Sequence, residues 1–283
     1  MQRLYPFLFV FLWSTGFIGA KYGLPYAEPL SFLLTRYGLV IALMVVIVLG
    51  MRAPWPQKPA QWLHIGISGL LVHAVYLGGV FVAIKHGLPA GVTALVVGMQ
   101  PLLTALGAGW FLGEKVDGRQ WLGLGLGFVG VILVVSGKFG DGALLSMLAP
   151  AVIALLGITA GTLYQKRYCA RFDLRTGSLI QFAPTAIVTA LAVVIFEDYR
   201  IEWTGDFIFA LGWLVLVLSL GAISLLNLLI RSGSAVNVAS LFYLTPVSTA
   251  VIAWLIFDEK LTLTAAFGML LAVSGVYLVA RPK

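Results

Sequence analysis

The side chains able to do chemistry are few, and they stand inside apolar runs. Arg36 lies between Leu33-Leu34-Thr35 and Tyr37-Gly38-Leu39. A guanidinium placed there either snorkels along its own stem to the nearer interface or attracts an anionic group such as a carboxylate. His73 and Tyr76 are three apart, a spacing that puts both on one face of a helix. An imidazole with an ordinary pKa of about 6.5 could relay protons there; a neutral ring bonded to a neighbouring helix is the plainer role. Trp13-Ser14-Thr15 offers an indole N–H and two hydroxyls, and Thr159 offers another hydroxyl. These either line a cavity or bond back to a carbonyl one turn earlier. Gln100 and Tyr243 stand beside Pro101 and Pro246, where they either line a cavity or belong to a plain helix bend with Tyr243 packed among Leu side chains; Asn227 either lines a cavity or makes an interhelical bond. Tyr164 and Gln165 are expected at a span end, at the interface. The spans lack a central Asp or Glu, the group a carrier of cations exchanged for protons needs. A neutral, zwitterionic or amphipathic ligand is favoured instead.

Metal and nucleophile chemistry find no footing. His64, His73 and His86 have no metal-ligand spacing, and there is no H-E-x-x-H, G-x-S-x-G or P-loop. Cys169 is the single cysteine, so neither an internal disulfide nor a thiol metal centre is available. No cofactor and no enzymatic activity are expected.

The chain is organised by a repeat. Pro101 and Pro246 are 145 residues apart, as are Glu114 and Glu259, Gly123 and Gly268, and Gly130 and Gly275. The same offset joins Ser14 to Thr159, Gly16 to Gly161 and Lys21 to Lys166. The two prolines, set inside apolar helices, are expected to kink them and give a gate its flexibility. Glu114-Lys115 and Glu259-Lys260 fall at span ends, where capping or loop pairing is expected.

The elements that must carry these residues are membrane helices. Hydrophobic residues make up 60% of the 283 and charged ones 10%, with a mean hydropathy of +1.01; soluble domains carry about 25% charge. Runs of about 18–25 apolar residues match a ~30 Å hydrocarbon core, where backbone groups must be satisfied by helix formation. Ten spans are predicted, at 4–22, 30–50, 62–84, 90–112, 119–136, 143–165, 176–196, 207–229, 235–257 and 262–280. The first is expected to be a retained helix rather than a signal peptide. Five spans per half is an odd number, so the second half enters from the opposite side. The chain is expected to be an all-α integral membrane protein of ten transmembrane helices. They form two inverted five-helix repeats, residues 1–138 and 139–283, around a central cavity. With the N terminus inside, twelve Lys and Arg fall in inner segments and five in outer ones. Both termini are therefore expected in the cytoplasm. The net charge of +7 is scattered over short loops and does not point to nucleic acid.

The stretch Ala235-Val236-Asn237-Val238-Ala239-Ser240, then Tyr243-Leu244-Thr245-Pro246, an apolar run into Asp258-Glu259-Lys260 and a Gly-rich last helix resembles the EamA-type carriers of the drug/metabolite transporter superfamily. The first half carries the pattern at Ala90 to Val134, with Gly98-Met99-Gln100-Pro101 where the family often has Tyr-Leu-x-Pro. Leu12-Trp13-Ser14-Thr15-Gly16 through Lys21, and Arg36, fit it as well. Asp258 departs from the usual Gly before the Glu, with a local effect expected at a helix end. The resemblance spans essentially the whole chain. It implies a bacterial inner-membrane carrier that exports or exchanges small metabolites, and it leaves the substrate open.

The expected function is therefore a secondary transporter of a small organic metabolite, an amino acid or related amphipathic solute, with a midplane site between the halves. A flippase for a lipid or lipid-linked sugar is the alternative on the same scaffold. The partners expected are the solute and the lipid bilayer. One chain can supply both halves of the cavity, so dimerisation is not required.

Overall fold

The computed structural model describes residues 4–88, 90–135, 144–169, 172–257 and 262–280. These residues are helical almost throughout, and their extended pairing is limited to an isolated bridge between Ala27 and Ile201. The helices are α1 (Tyr5–Gly23), α2 (Pro29–Gly50), α3 (Pro59–Lys85) and α4 (Ala90–Val97). They continue with α5 (Gln100–Leu112), α6 (Gly118–Val135), α7 (Leu144–Tyr168) and α8 (Leu174–Phe196). The last four are α9 (Gly205–Ser232), α10 (Ala235–Ser240), α11 (Leu244–Phe257) and α12 (Leu263–Ala280).

Local chemistry sets the ends. Pro29 and Pro59 open α2 and α3 at a position where the missing N–H would have had no helical partner. Gly113 closes α5 with a left-handed φ of 69°, which a side chain would resist. Asp173, Thr204 and Ser234 cap α8, α9 and α10 with side-chain oxygens. Two caps come from far along the chain. Glu197 accepts from the backbone N–H groups of Leu30 and Ser31 at 2.9 and 2.8 Å. Glu114 accepts from the N–H of Ala235 at 3.0 Å, the end-capping role expected of it. Asp258, Glu259 and Lys260 lie outside the described residues, as does the expected repeat boundary at 138/139.

These bonds define two faces of the bundle. On one, Lys85 donates from Nζ to the carbonyls of Leu24 and Ala27, and Ala27 pairs with Ile201. On the other, Thr176 donates to Pro54, Arg231 to Phe172, and Lys166 to Ile230 and Gly233. Between the faces, among the described residues, eight helices are long and apolar enough to cross a membrane. Their outward surfaces carry Val46, Leu49, Leu191 and Val194 at 60–83% exposure, a surface that only lipid makes favourable. The protein is an integral membrane protein. α6 is a shorter apolar helix, and the predicted span at 235–257 is divided by a tight 3₁₀ turn at Leu241–Tyr243. The predicted span at 90–112 is likewise distorted, by a turn at Gly98-Met99 between α4 and α5, and Thr93–Leu112 across that turn is one of the eight.

The two prolines stand just after these turns. Pro101 is the second residue of α5 and Pro246 the third of α11. Each occupies the first α-helical turn after a local change of winding, where the missing N–H is easily accommodated.

The closest helix pair is α6 and α12. A methyl group on Gly123 would stand 2.7 Å from the carbonyl oxygen of Gly275, and one on Gly130 would stand 2.5 Å from that of Gly268. Small residues let backbones approach in lipid, where packing rather than water exclusion holds helices together. α3 and α9 share another peculiarity. Each widens into a π-helical stretch, Leu70–Leu77 and Leu214–Ala222.

Candidate functional site

The site begins with Arg36, seven residues into α2. Its side chain is 2% exposed. Nε donates to Ser219 Oγ at 3.0 Å, and that hydroxyl in turn donates to the carbonyl of Leu214 at 3.2 Å. Ser219 sits in the π stretch of α9, and widened turns of this kind occur frequently at functional sites. Among the described residues no carboxylate pairs with Arg36, and its two Nη groups have no acceptor. They border a narrow cleft between α1, α2, α3 and α9. A buried charge normally demands a partner, so an unpaired one needs an explanation.

The cleft walls are aromatic. Trp13, Phe17, Tyr76 and Phe81 line it together with Arg36 and Leu218. Trp13 lies nearly parallel to Tyr76, with ring centroids 6.0 Å apart, and meets Phe242 edge-on at 5.3 Å. The space is about 30 Å³, enough for one or two waters and far too small for an amino acid. Binding a solute requires the helices around it to separate.

The predicted residues divide into groups. Trp13, Arg36 and Tyr76 meet at the cleft. His73 does not share it with Tyr76, which corrects the expectation from their spacing. Both residues lie in the π stretch of α3, where the wider turn alters the register that an α-helix would give. His73 stacks on Phe182 with centroids 4.3 Å apart, and both ring nitrogens lack a hydrogen-bond partner among the described residues. Its carbonyl accepts from Tyr37 Oη at 2.9 Å.

Ser14, Thr15 and Thr159 all bond back along their own helices, to Val10, Leu12 and Leu155. Two of them also reach a neighbour: Ser14 donates to the carbonyl of Thr245 at 3.3 Å, and Thr15 accepts from Trp213 Nε1 at 2.9 Å. Gln100 donates to Thr162 Oγ1 at 3.3 Å while its Oε1 has no partner. The hydroxyls of Thr104, Tyr243 and Thr245 are buried and unpartnered too. This polar group lies at the two helix breaks.

Asn227 belongs to a network that residue type alone did not reveal. Gln165 Nε2 donates to Asn227 Oδ1 at 2.8 Å, and Gln181 Nε2 donates to Ser68 Oγ at 3.0 Å and to Gln165 Oε1 at 3.3 Å. Asn227 Nδ2 closes the circuit onto Gln181 Oε1 at 3.4 Å. Gln165, near the end of α7, is 2% exposed and turns into this network. The buried amides of α7, α8 and α9 satisfy one another. Tyr164 instead meets His64, its Oη 2.6 Å from Nδ1. Among the described residues no cluster of His, Cys, Asp and Glu could hold a metal ion.

A helical membrane bundle with a buried, aromatic-walled cleft and an unpaired internal cation has the form of a solute-handling membrane protein. Residues 3–136 and 143–281 each match the EamA-like transporter family, and the chain belongs to that family. It is 29% identical over 272 residues to the uncharacterized transporter YvbV of Bacillus subtilis, covering 95% of this chain and 88% of that one. It is 26% identical over 284 residues to a probable amino-acid metabolite efflux pump of Escherichia coli, covering 96% and 92%. The uncharacterized inner membrane transporter YedA of Escherichia coli is 26% identical over 282 residues, covering 98% and 90%. A solved crystal structure superposes with a TM-score of 0.78 at 22% identity, covering 97% of this chain and 94% of its own, which establishes the likeness of fold. These relatives, named as transporters, give no support to the flippase alternative.

Proposed function

We propose that the protein is a secondary carrier that exports or exchanges a small organic metabolite, an amino acid or related amphipathic solute, across the bacterial inner membrane. The observation that carries the reading is the buried Arg36 guanidinium, unpaired and facing a cleft walled by Trp13 and Tyr76. The name of the Escherichia coli efflux pump adds the direction and the solute class.

Alternating access in this reading uses two inverted repeats of five spans, residues 1–138 and 139–283. Several observations support the inversion. Gly123 meets Gly275 while Gly130 meets Gly268. With the 145-residue offset that is the crossed pairing a two-fold axis requires, where i meets j′ and j meets i′. The π stretches end at Leu77 and Ala222, again 145 apart. The breaks at Gly98-Met99 and Leu241–Tyr243 fall in the same register. Solute would pass between the halves near the broken helices, with Pro101 and Pro246 stiffening the first turns beside the gate. Among described loop and span-end residues, eight Lys and Arg fall on the face bearing Arg52 and Arg231 and three on the other. That asymmetry supports cytoplasmic termini.

The test is uptake into liposomes containing the purified protein, with labelled amino acids, amines and sugars, with and without a pH gradient. Saturable uptake lost in Trp13→Ala supports the carrier. Absence of uptake for every solute, from a folded preparation, would overturn it. Gradient dependence lost with His73→Ala would add proton coupling.

A further inference from the structure

We propose that the cleft accepts its solute as an anion: an organic monocarboxylate with an aromatic or branched apolar body, in preference to a zwitterion. The inference rests on the carrier reading; within its substrate class it keeps the related amphipathic solute and sets the amino acid second.

Charge decides it first. Arg36 is held at Nε by Ser219, which leaves both Nη groups free toward the cleft. Two parallel N–H donors on one rigid plane match the two oxygens of a carboxylate, and Arg makes this contact better than any other side chain. To an ammonium group the same wall offers no carboxylate, and the Tyr76 hydroxyl is its one neutral side-chain oxygen. Its side chains are aromatic or aliphatic apart from Arg36 itself. The aromatic faces of Trp13 and Tyr76 could attract a cation, but a guanidinium bordering the same space of about 30 Å³ repels one. An α-amino group would arrive there desolvated and unpaired, the more costly half of a zwitterion to bury.

The repeat supplies a second, independent argument. The 145-residue register places Gln181 at the position equivalent to Arg36. Gln181 is neutral and its amide is engaged on both sides, with Ser68, Gln165 and Asn227. Only one of the two equivalent places therefore carries a charge awaiting a partner. The apolar walls set the rest of the ligand: Phe17, Phe81 and Leu218 give a ring or branched chain somewhere to lie.

The experiment compares 3-phenylpropionate, phenylalanine and phenethylamine, which share a ring and chain and differ only in their charged groups. Thermal stabilisation of the full-length protein in detergent is titrated with each at pH 7.5. The expected result is an apparent affinity for 3-phenylpropionate at least about tenfold above that for phenylalanine, with no shift from phenethylamine. Arg36→Lys should weaken the response and Arg36→Met abolish it. Arg36→Met removes an unpaired buried charge, so it is expected to melt no lower than the parent, which separates loss of binding from loss of folding. Equal or tighter binding of phenylalanine, any response to phenethylamine, or a response surviving in Arg36→Met overturns the inference. If none of the three shifts a protein that still transports another solute in liposomes, this inference falls alone. If liposome uptake is also absent, the carrier reading falls with it.

Discussion

Gly123 on α6 and Gly275 on α12 meet backbone to backbone, with room for a hydrogen but not for a methyl group at 2.7 Å from the facing carbonyl. Gly130 repeats the contact against Gly268 and the N–H of Ala272. Gly130→Ala should therefore push the two helices apart and cost about 1–3 kcal/mol. Gly125 lies on the same helix with nothing within 4 Å of an added methyl. Gly125→Ala should be neutral or slightly stabilising, because it removes backbone freedom from the unfolded chain. Melting curves of the two variants in detergent check the pair.

Ser219 is the sole hydrogen-bond partner of Arg36 among the described residues. Ser219→Ala should lower stability by about 1–3 kcal/mol, because it strands a charged donor in a buried place. Adding Arg36→Met should recover most of that loss. A double-mutant cycle on melting temperature measures the coupling, and additive effects would show that the bond contributes nothing.

Cys169 reports on the amide network without mutagenesis of its own. It follows α7 and is buried, and burial pushes its thiol up to about 11, offset in part by Ser68. The thiolate is then about a thousandth of the total at pH 8. Maleimide labelling should be slow at pH 7 and rise about tenfold per pH unit through pH 9. Ser68 is also the anchor of Gln181 at 3.0 Å. Gln181→Leu should release Ser68, expose the thiol and speed labelling at fixed pH. Unchanged labelling would mean that the network does not hold this end of the bundle closed.

The two prolines give a prediction whose sign is diagnostic. In the first turn of α5, Pro101→Ala should cost up to about 1 kcal/mol by loosening the unfolded chain. A proline in mid-helix would behave oppositely, and its replacement would stabilise by about 3 kcal/mol. Thermal or chemical denaturation separates the two.

Much of this architecture could be read from spacing. The shared offset of Gly123 with Gly268 and of Gly130 with Gly275 pointed to α6 and α12, which pack backbone to backbone. Hydropathy placed the spans because lipid forces helices, a constraint stronger than any propensity. The site was legible only in part. Trp13, Tyr76 and Arg36 stood out as polar or amphipathic groups in apolar runs, and the structure brings them together. Gln181 and Ser219 escaped notice because a single amide or hydroxyl in a long span has many ordinary uses. The offset from Arg36 would have pointed to Gln181. His73 stands apart from the cleft that Tyr76 lines because three-residue spacing gives a shared face on an α-helix, whereas Leu70–Leu77 is wound more widely. The form of the turns at Gly98-Met99 and Leu241–Tyr243 is not legible, because a proline marks an interruption without saying how the chain is wound there.

The meeting of α6 with α12 also bears on how the protein is made. Gly123 leaves the ribosome 152 residues before Gly275, about 8–30 s earlier at ordinary rates of synthesis. Through that interval the glycine face of α6 stands in the lipid without its mate. The first half of the bundle is thus assembled with one seam open, and the seam closes only once α12 has been made.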